Sequence, residues 1–570
     1  MEEKQNKRKN KRIKKFKQLK VLYFSIFIFM SLILSISIFS GIKKFLENRI
    51  DKDRIRIVVK DNIVSDDLAI YTINNENYFS VEFLKKYIDS TLFPEQDKDT
   101  ITITNTNNVI RLNTDELTYY VNSNPISLEL PIIVENNIML MPVSLAKSIY
   151  NLDINYINNN KKAIIDFNNE NKKTTKLHKT VKIYDSTDKK NKKVAKLKKN
   201  TEITIFDKEN GYYSVRGSNG EVGYLKEKYI KQINEEITKN NNDNNDNRVA
   251  FKPKNGRITM IWDQVFNSAQ NKKESKYIPI DNLDVISPTW FEISDDEGNV
   301  SNIADKSYID WAHSKGYQVW GLFSNGFDPD ITHNTLSNPD IREKIIKQIL
   351  SYAQIYNLDG INIDFEAIRK ADGEYFVQFV REITPYLKAQ GLTVSVDLSR
   401  PEGWNSYYGM KEVGEVVDYV VLMAYDEHWG TSPKSGSVAS IGWTEQSIIN
   451  SLKMVPKEKL ILGVPFYTRL WEEKIVDNKN TVSSSSLGMK STLEYISKNG
   501  MQTVYDNESG QNYASIEKND ITYKIWIEDD LSMRKRMELI EKYDIAGVAG
   551  WKRHLEGENT LNIINEYMKN

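Results

Sequence analysis

The run Asp359-Gly360-Ile361-Asn362-Ile363-Asp364-Phe365-Glu366 alternates apolar with acidic or amide side chains from Ile361 onward. Successive side chains of a β-strand point to opposite faces, so Ile361, Ile363 and Phe365 share one face and Asn362, Asp364 and Glu366 the other. The apolar set requires cover by helices, which turns the polar set inward. Three polar groups in a row on an interior face are costly, and chemistry is a better reason than packing to keep them. Working outward, seven more β-rich runs flank this one: Arg257 to Trp262, Leu283 to Ser287, Tyr317 to Phe323, Leu392 to Leu398, Val417 to Ala424, Lys459 to Pro465 and Ile545 to Trp551. Helical patterns separate them, as where Phe376, Phe379, Val380 and Ile383 fall on one face. Eight strands alternating with helices over residues 251–570 predict an α/β fold, a (β/α)8 TIM barrel, with a small insertion at 472–528 between strands seven and eight. Catalytic residues of that fold sit at the C-terminal ends of the strands. Glu366 falls at such an end, and Asp364 lies one inward step below it.

The same run is similar to the D-x-x-D-x-D-x-E signature of glycoside hydrolase family 18, the chitinase and N-acetylglucosaminidase family. Three further segments follow in the family's order. Met423-Ala424-Tyr425-Asp426 resembles its sixth-strand M-x-Y-D, and Gly463-Val464-Pro465-Phe466-Tyr467-Thr468-Arg469 resembles its seventh-strand G-x-P-x-Y-G-R. Trp551 stands where the eighth-strand tryptophan floors the sugar site. The resemblance implies a retaining, substrate-assisted glycosidase in which the sugar's own 2-acetamido oxygen is the nucleophile. Asp364 shares a strand with Glu366 and cannot readily reach the opposite sugar face, which agrees with that scheme. The resemblance implies Glu366 as general acid, its pKa raised by burial and a negative neighbour. It implies Asp364, Tyr425 and Asp426 as the groups that hold and stabilise the acetamide. Asn362, Asp359, Met423, Tyr467, Arg469 and Trp551 are then expected to bind substrate. Trp290 and Trp429 are expected as sugar platforms, with Trp404 and Trp471 as further candidates.

One departure matters. Asn362 stands where the family pattern has Asp, and an amide cannot exchange a proton with Asp364. Family members that resemble spore-cortex and other cell-wall N-acetylglucosaminidases often carry Asn there, which favours peptidoglycan over chitin as substrate. Chitin oligomers remain an alternative substrate, and a non-catalytic, chitinase-like wall-binding protein an alternative role.

Composition narrows the classes. The chain has no Cys, which excludes disulfides, thiolate metal sites and a cysteine nucleophile. Its five His show no metal-ligand spacing, so neither metal nor cofactor is expected. The 78 basic and 78 acidic residues cancel, but ten of the basic ones crowd into the first twenty residues. The remainder is acidic on balance, which argues against a nucleic-acid partner.

That basic segment, residues 1–20, precedes Val21 to Ile42, a run of 22 residues without a charge. As a helix it would be about 33 Å long, enough to span a membrane. The flanking Lys and Arg predict a cytoplasmic N-terminus, a single-pass anchor in the cell membrane and an extracytoplasmic catalytic domain. Two small β-rich domains are expected between anchor and barrel. Residues 54–168 alternate short strands with helical stretches at Val81 to Ile88 and Val143 to Tyr150, and resemble a copper-amine-oxidase N-terminal-like domain. No His or Cys cluster accompanies them, so no copper is implied. Residues 175–234 carry four strand-like runs and the hairpin signal Gly217-Ser218-Asn219-Gly220, and resemble a bacterial Src homology 3-like domain. Between Asn171 and Lys231 there are 17 Lys or Arg against seven acidic residues, a charge suited to anionic wall polymers. An Asn/Asp-rich linker at 235–250 completes the order.

Overall fold

A computed structural model describes residues 55–64, 69–157, 162–236, 251–253, 256–477 and 479–568. The expected anchor at 21–42 lies outside them. Among the described residues no helix is long and apolar enough to cross a membrane.

All eight expected barrel strands form. They are β1 (Ile258–Asp263), β2 (Val285–Ile293), β3 (Gln318–Ser324), β4 (Gly360–Asp364), β5 (Thr393–Ser399), β6 (Tyr419–Met423), β7 (Leu460–Pro465) and β8 (Gly547–Trp551). Neighbours pair in parallel, and β1 closes the ring by pairing with both β2 and β8. The alternation seen in β4 is realised. Ile361, Ile363 and Phe365 are buried in the core between sheet and helices, where Phe365 stacks on Phe379 at 5.6 Å between ring centroids. Asn362 and Asp364 are buried on the other face, with the lumen cluster formed by Met260, Trp262, Leu322 and Val421.

Between β7 and β8 lies a five-stranded antiparallel sheet with one helix, Met489–Asn499. Its first strand, Tyr467–Val476, begins at Tyr467, five residues before the boundary expected from the sequence, because the chain turns straight from β7 into the hairpin with Lys479–Gly488. The sheet is pinned by Arg536, fully buried and bonded to both oxygens of Glu528 at 2.6 and 2.8 Å.

The chain divides into two compact units, and the division cuts through the 54–168 segment. Residues 91–132 belong with the barrel. They form five antiparallel strands from Phe93–Glu95 to Asn124–Ser127. Their attachment is a buried ion cluster: Arg342, on the helix Pro339–Tyr356, bonds both oxygens of Glu95 at 2.9 and 2.7 Å and both oxygens of Glu382 at 2.9 and 3.2 Å. Arg111 reaches from the same strands to Glu343 at 2.5 Å.

The other unit holds the remaining β-rich segments. Arg56–Val59 pairs in parallel with Lys162–Phe167. The helices Val81–Tyr87 and Val143–Tyr150 lie where the sequence predicts them, the first capped by the Ser80 hydroxyl accepting from Phe83 N–H at 3.1 Å. Farther along, a seven-stranded sheet contains all four expected strands of the basic segment over a small core of Leu177, Ile183, Val215 and Leu225. Its strands Val181–Tyr184 and Lys193–Leu197 set Lys182 directly opposite Lys196.

Candidate active site

A cleft of about 1050 Å³ opens at the C-terminal ends of the barrel strands. Glu366 stands in its wall two residues past the end of β4, half-buried. Its backbone is clamped from the end of β3. Buried Asn325 accepts from Glu366 N–H at 3.0 Å and donates to Glu366 C=O at 2.7 Å. Ala367 follows with φ of 53°, a left-handed conformation unusual for a residue with a Cβ, so the chain leaves the strand sharply at the acid. Burial, and then the Asp426 carboxylate, push the Glu366 pKa up.

Below Glu366 the lumen is a hydrogen-bonded polar network. Asn362 accepts at Oδ1 from Trp262 Nε1 at 2.9 Å and from Ser287 Oγ at 3.2 Å. Through Nδ2 it donates to Ser395 Oγ at 3.0 Å and to Asp397 Oδ1 at 2.7 Å. Trp262 Nε1 also reaches Asp397 Oδ2 at 3.2 Å. Asp364 differs from its neighbours, because its Oδ1 is buried with no hydrogen-bond partner among the described residues. Burial, then the charges of Asp397 and Glu366, push the Asp364 pKa well above the ordinary carboxylate range.

Across the cleft, Tyr425 and Asp426 follow β6. Asp426 has φ of 59° and accepts at one oxygen from Tyr467 Oη at 2.6 Å, with Arg469 at 3.5 Å from the same oxygen. The Tyr425 ring meets Trp262 and Tyr467 edge-on, at 6.5 and 6.4 Å between centroids. Trp551 lines the cleft with Met423 and packs edge-on against Trp262 at 5.7 Å. Trp429 and Trp404 line it as well, 52% and 68% exposed, faces free for a sugar ring.

Other expected contacts are displaced. Asp359 sits at the opposite, N-terminal end of β4, where it accepts from Val319 N–H and pairs with His313, each at 2.8 Å; it braces the barrel's base and does not line the cleft. Asn362 is fully buried and spends its amide on the lumen network, so it supports the site from behind. Tyr467 and Arg469 act on the cleft through Asp426. Trp290 borders the cleft only from within the core, 1% exposed and tied by its N–H to Asn271 at 2.9 Å. Trp471 is fully buried, its N–H given to Gly436 C=O at 2.9 Å, and offers no platform.

Residues that sequence reasoning passed over also reach the site. Asp397 lines the cleft floor, and the alternation Ser395, Asp397, Ser399 along β5 carries the same inward-facing signal as β4. Phe266 and Phe327, 70% and 49% exposed in loops after β1 and β3, line the cleft, and no periodicity announces them.

With this geometry in place, comparison with known proteins decides the family. The model of the glycosyl hydrolases family 18 matches residues 257–556, more than half of the chain. The chain belongs to glycoside hydrolase family 18, and it is a glycoside hydrolase. The copper amine oxidase N-terminal domain matches residues 58–165. Among curated relatives, the glycosylase YvbX of Bacillus subtilis is 26% identical over 287 residues, 48% of this chain and 81% of its own. The cortical fragment-lytic enzyme of Bacillus anthracis is 24% identical over 241 residues, 41% of this chain and 55% of its own. The crystal structure of the C-terminal domain of a protein described as a chitinase, from Desulfitobacterium hafniense DCB-2, is similar with a TM-score of 0.50 and 21% identity, covering 55% of this chain and 99% of that one. That likeness concerns the fold.

Proposed function

We propose that the chain hydrolyses β-1,4 bonds after N-acetylglucosamine in peptidoglycan by a retaining, substrate-assisted mechanism. The observation that carries this reading is the open acceptor beneath the acid: Asp364 Oδ1 is buried and unpartnered in the cleft floor, where an acetamide N–H can meet it. Glu366 donates its proton to the glycosidic oxygen while the acetamide carbonyl oxygen of the same sugar attacks C1. The C1–O bond breaks, and the positive charge of the resulting five-membered ring faces Asp364. Tyr425 and Asp426 hold the acetamide in line, Asp426 being fixed in turn by Tyr467 and Arg469. Trp551 supports the sugar ring from below. Water then attacks C1, gives its proton to the Glu366 carboxylate and reopens the ring with retention.

The likeness to a cortical fragment-lytic enzyme supports a wall substrate. Incubation of the full chain with purified peptidoglycan is expected to release new N-acetylglucosamine reducing ends. Muramic-acid ends, or equal cleavage of a deacetylated glycan, would refute the bond and the mechanism. Preferential release from chitin oligomers would favour a chitinase instead. Glu366→Gln separates both from a non-catalytic wall binder, since binding survives while turnover collapses.

The run at 21–42 anchors the enzyme in the cell membrane with the catalytic unit outside, and the basic segment at 175–234 acts as a Src homology 3-like module for anionic wall polymers. Lys182 facing Lys196 supports the second point, because like charges directly opposed across strands destabilise a sheet unless an anion lies over them. Membrane fractionation checks the anchor. Loss of polyanion binding in Lys182→Glu/Lys196→Glu checks the module.

A further inference from the structure

Lys552 directly follows β8, next to Trp551, and is partly buried. Its ammonium donates to Oε1 of Gln264, the residue that follows β1, and lies 5.8 Å from the centre of the Phe266 ring. No carboxylate pairs with it among the described residues. Lys276 donates to Gln264 C=O at 3.2 Å, so two lysines occupy the acceptors of this glutamine. An ammonium can only donate, which fixes the amide with Nε2 as its remaining donor. No described residue accepts from Nε2, and Gln264 lines the cleft. The charge at this corner is positive. Lys276 and Arg553 close on the fully buried Asp263, Arg553 at 3.1 Å, so with Lys552 three cations stand against one carboxylate. Burial, and then the charge of Lys276, pull the Lys552 pKa down against the attraction of Asp263, a load that a bound anion would relieve. The rest of the cleft is unsuited to an anion. Glu292, Glu366, Glu402, Asp426 and Glu427 line it from β2 and from the exits of β4, β5 and β6, while Arg400 pairs with Glu402 at 3.0 Å and Arg469 lies 3.5 Å from Asp426.

We propose that Gln264 Nε2, oriented and polarised by Lys552, is a specificity-determining donor to a carboxylate on the glycan: the lactyl carboxylate of a muramic acid next to the cleaved N-acetylglucosamine. Chitin carries no such group. Gln264 makes the contact, and Lys552 is a positioning residue that acts through it. The inference rests on the peptidoglycan reading and adds which form of that polymer is preferred. A lactyl carboxylate is free only where its amide bond to the stem peptide has been hydrolysed, so an amide hydrolase is the class of reaction that supplies the preferred substrate.

The experiment measures kcat/KM for the full chain in detergent on a peptide-free oligomer of alternating N-acetylglucosamine and N-acetylmuramic acid, and on the same oligomer with its lactyl carboxylates methyl-esterified. The free acid is expected to be favoured about tenfold, the worth of one charge-assisted hydrogen bond. Lys552→Met is expected to bring that ratio close to parity, and Lys552→Arg to keep most of it. Gln264→Glu puts a carboxylate in the donor's place and is expected to turn the preference toward the ester. A merely structural role would lower turnover of acid and ester alike and leave their ratio in place. That result, or equal cleavage of acid and ester by the parent, would overturn the inference while the peptidoglycan reading stands. Cleavage of a chitin oligomer of equal length with neither muramoyl oligomer cut would overturn both.

Discussion

Two sets of buried carboxylates occupy the same unit of this molecule, and they are built in opposite ways. Glu95 and Glu382 close on Arg342, and Glu528 closes on Arg536, in pairs that are all 3% exposed or less. Burial pushes Glu95 and Glu528 up, and the guanidinium beside each pulls the other way. In the lumen, burial pushes Asp364 and Asp397 up, and the neighbouring carboxylates add to the effect. A buried acid matched with a guanidinium holds two elements together. A buried acid set among other acids weakens the fold and is retained for what it does to a substrate.

Substitutions that exchange these properties test the distinction. The largest effect is expected at Glu366, where Gln keeps the shape and removes the proton: kcat should fall by about 10²- to 10⁴-fold, with no loss of thermal stability. Next is Arg342→Met, which leaves Glu95 and Glu382 buried without their cation and should destabilise the barrel unit by about 3–5 kcal/mol, read by chemical denaturation. Turnover per folded molecule should be unaltered, because Arg342 does not line the cleft. A loss of specific activity at Arg342 would erase the contrast between the two sets.

A smaller effect concerns pH. The raised Glu366 pKa should extend activity above the ordinary glutamic acid value of about 4.3 before the proton is lost. Asp426 is the second cause of that rise, so Asp426→Asn should lower kcat and also bring the basic limb of kcat/KM toward acid. A limb that does not move would remove Asp426 from the account of the acid's pKa.

The parts of this arrangement differ in how openly the sequence displays them. All eight strands were legible because each couples a β-rich run to a helical period, and β4 declared its inward face because every second residue is polar. Asp397 carries the same alternation more quietly, between two serines. Asp359 misled because spacing along a strand fixes the face a side chain takes but not which end of the barrel uses it; here it bonds Val319 and His313 at the base. Trp471 and Trp290 misled for a related reason. A tryptophan near a strand end is equally able to seal a core, and only the placement of its N–H partner, Gly436 or Asn271, tells the difference. The attachment of residues 91–132 to the barrel was not legible, since Glu95 and Arg342 lie far apart in the chain and neither belongs to a periodic motif.

The finest test of the contrast is thermodynamic. Asp364 has a folded-state pKa well above its unfolded value of about 3.9. A raised pKa contributes stability that is fully present below the unfolded value and is lost as pH rises toward the folded one. Asn at this position does not titrate, so Asp364→Asn should be increasingly more stable than the parent from about pH 4 upward, while its kcat falls. Urea denaturation of parent and variant at a series of pH values reads this difference directly. In the guanidinium-paired set, Glu382→Gln should destabilise the barrel unit, since it weakens the partner of a buried Arg342. A lumen variant that loses stability with rising pH as steeply as the parent would mean that Asp364 finds a hidden cation in solution, and the division between the two sets of acids would fail.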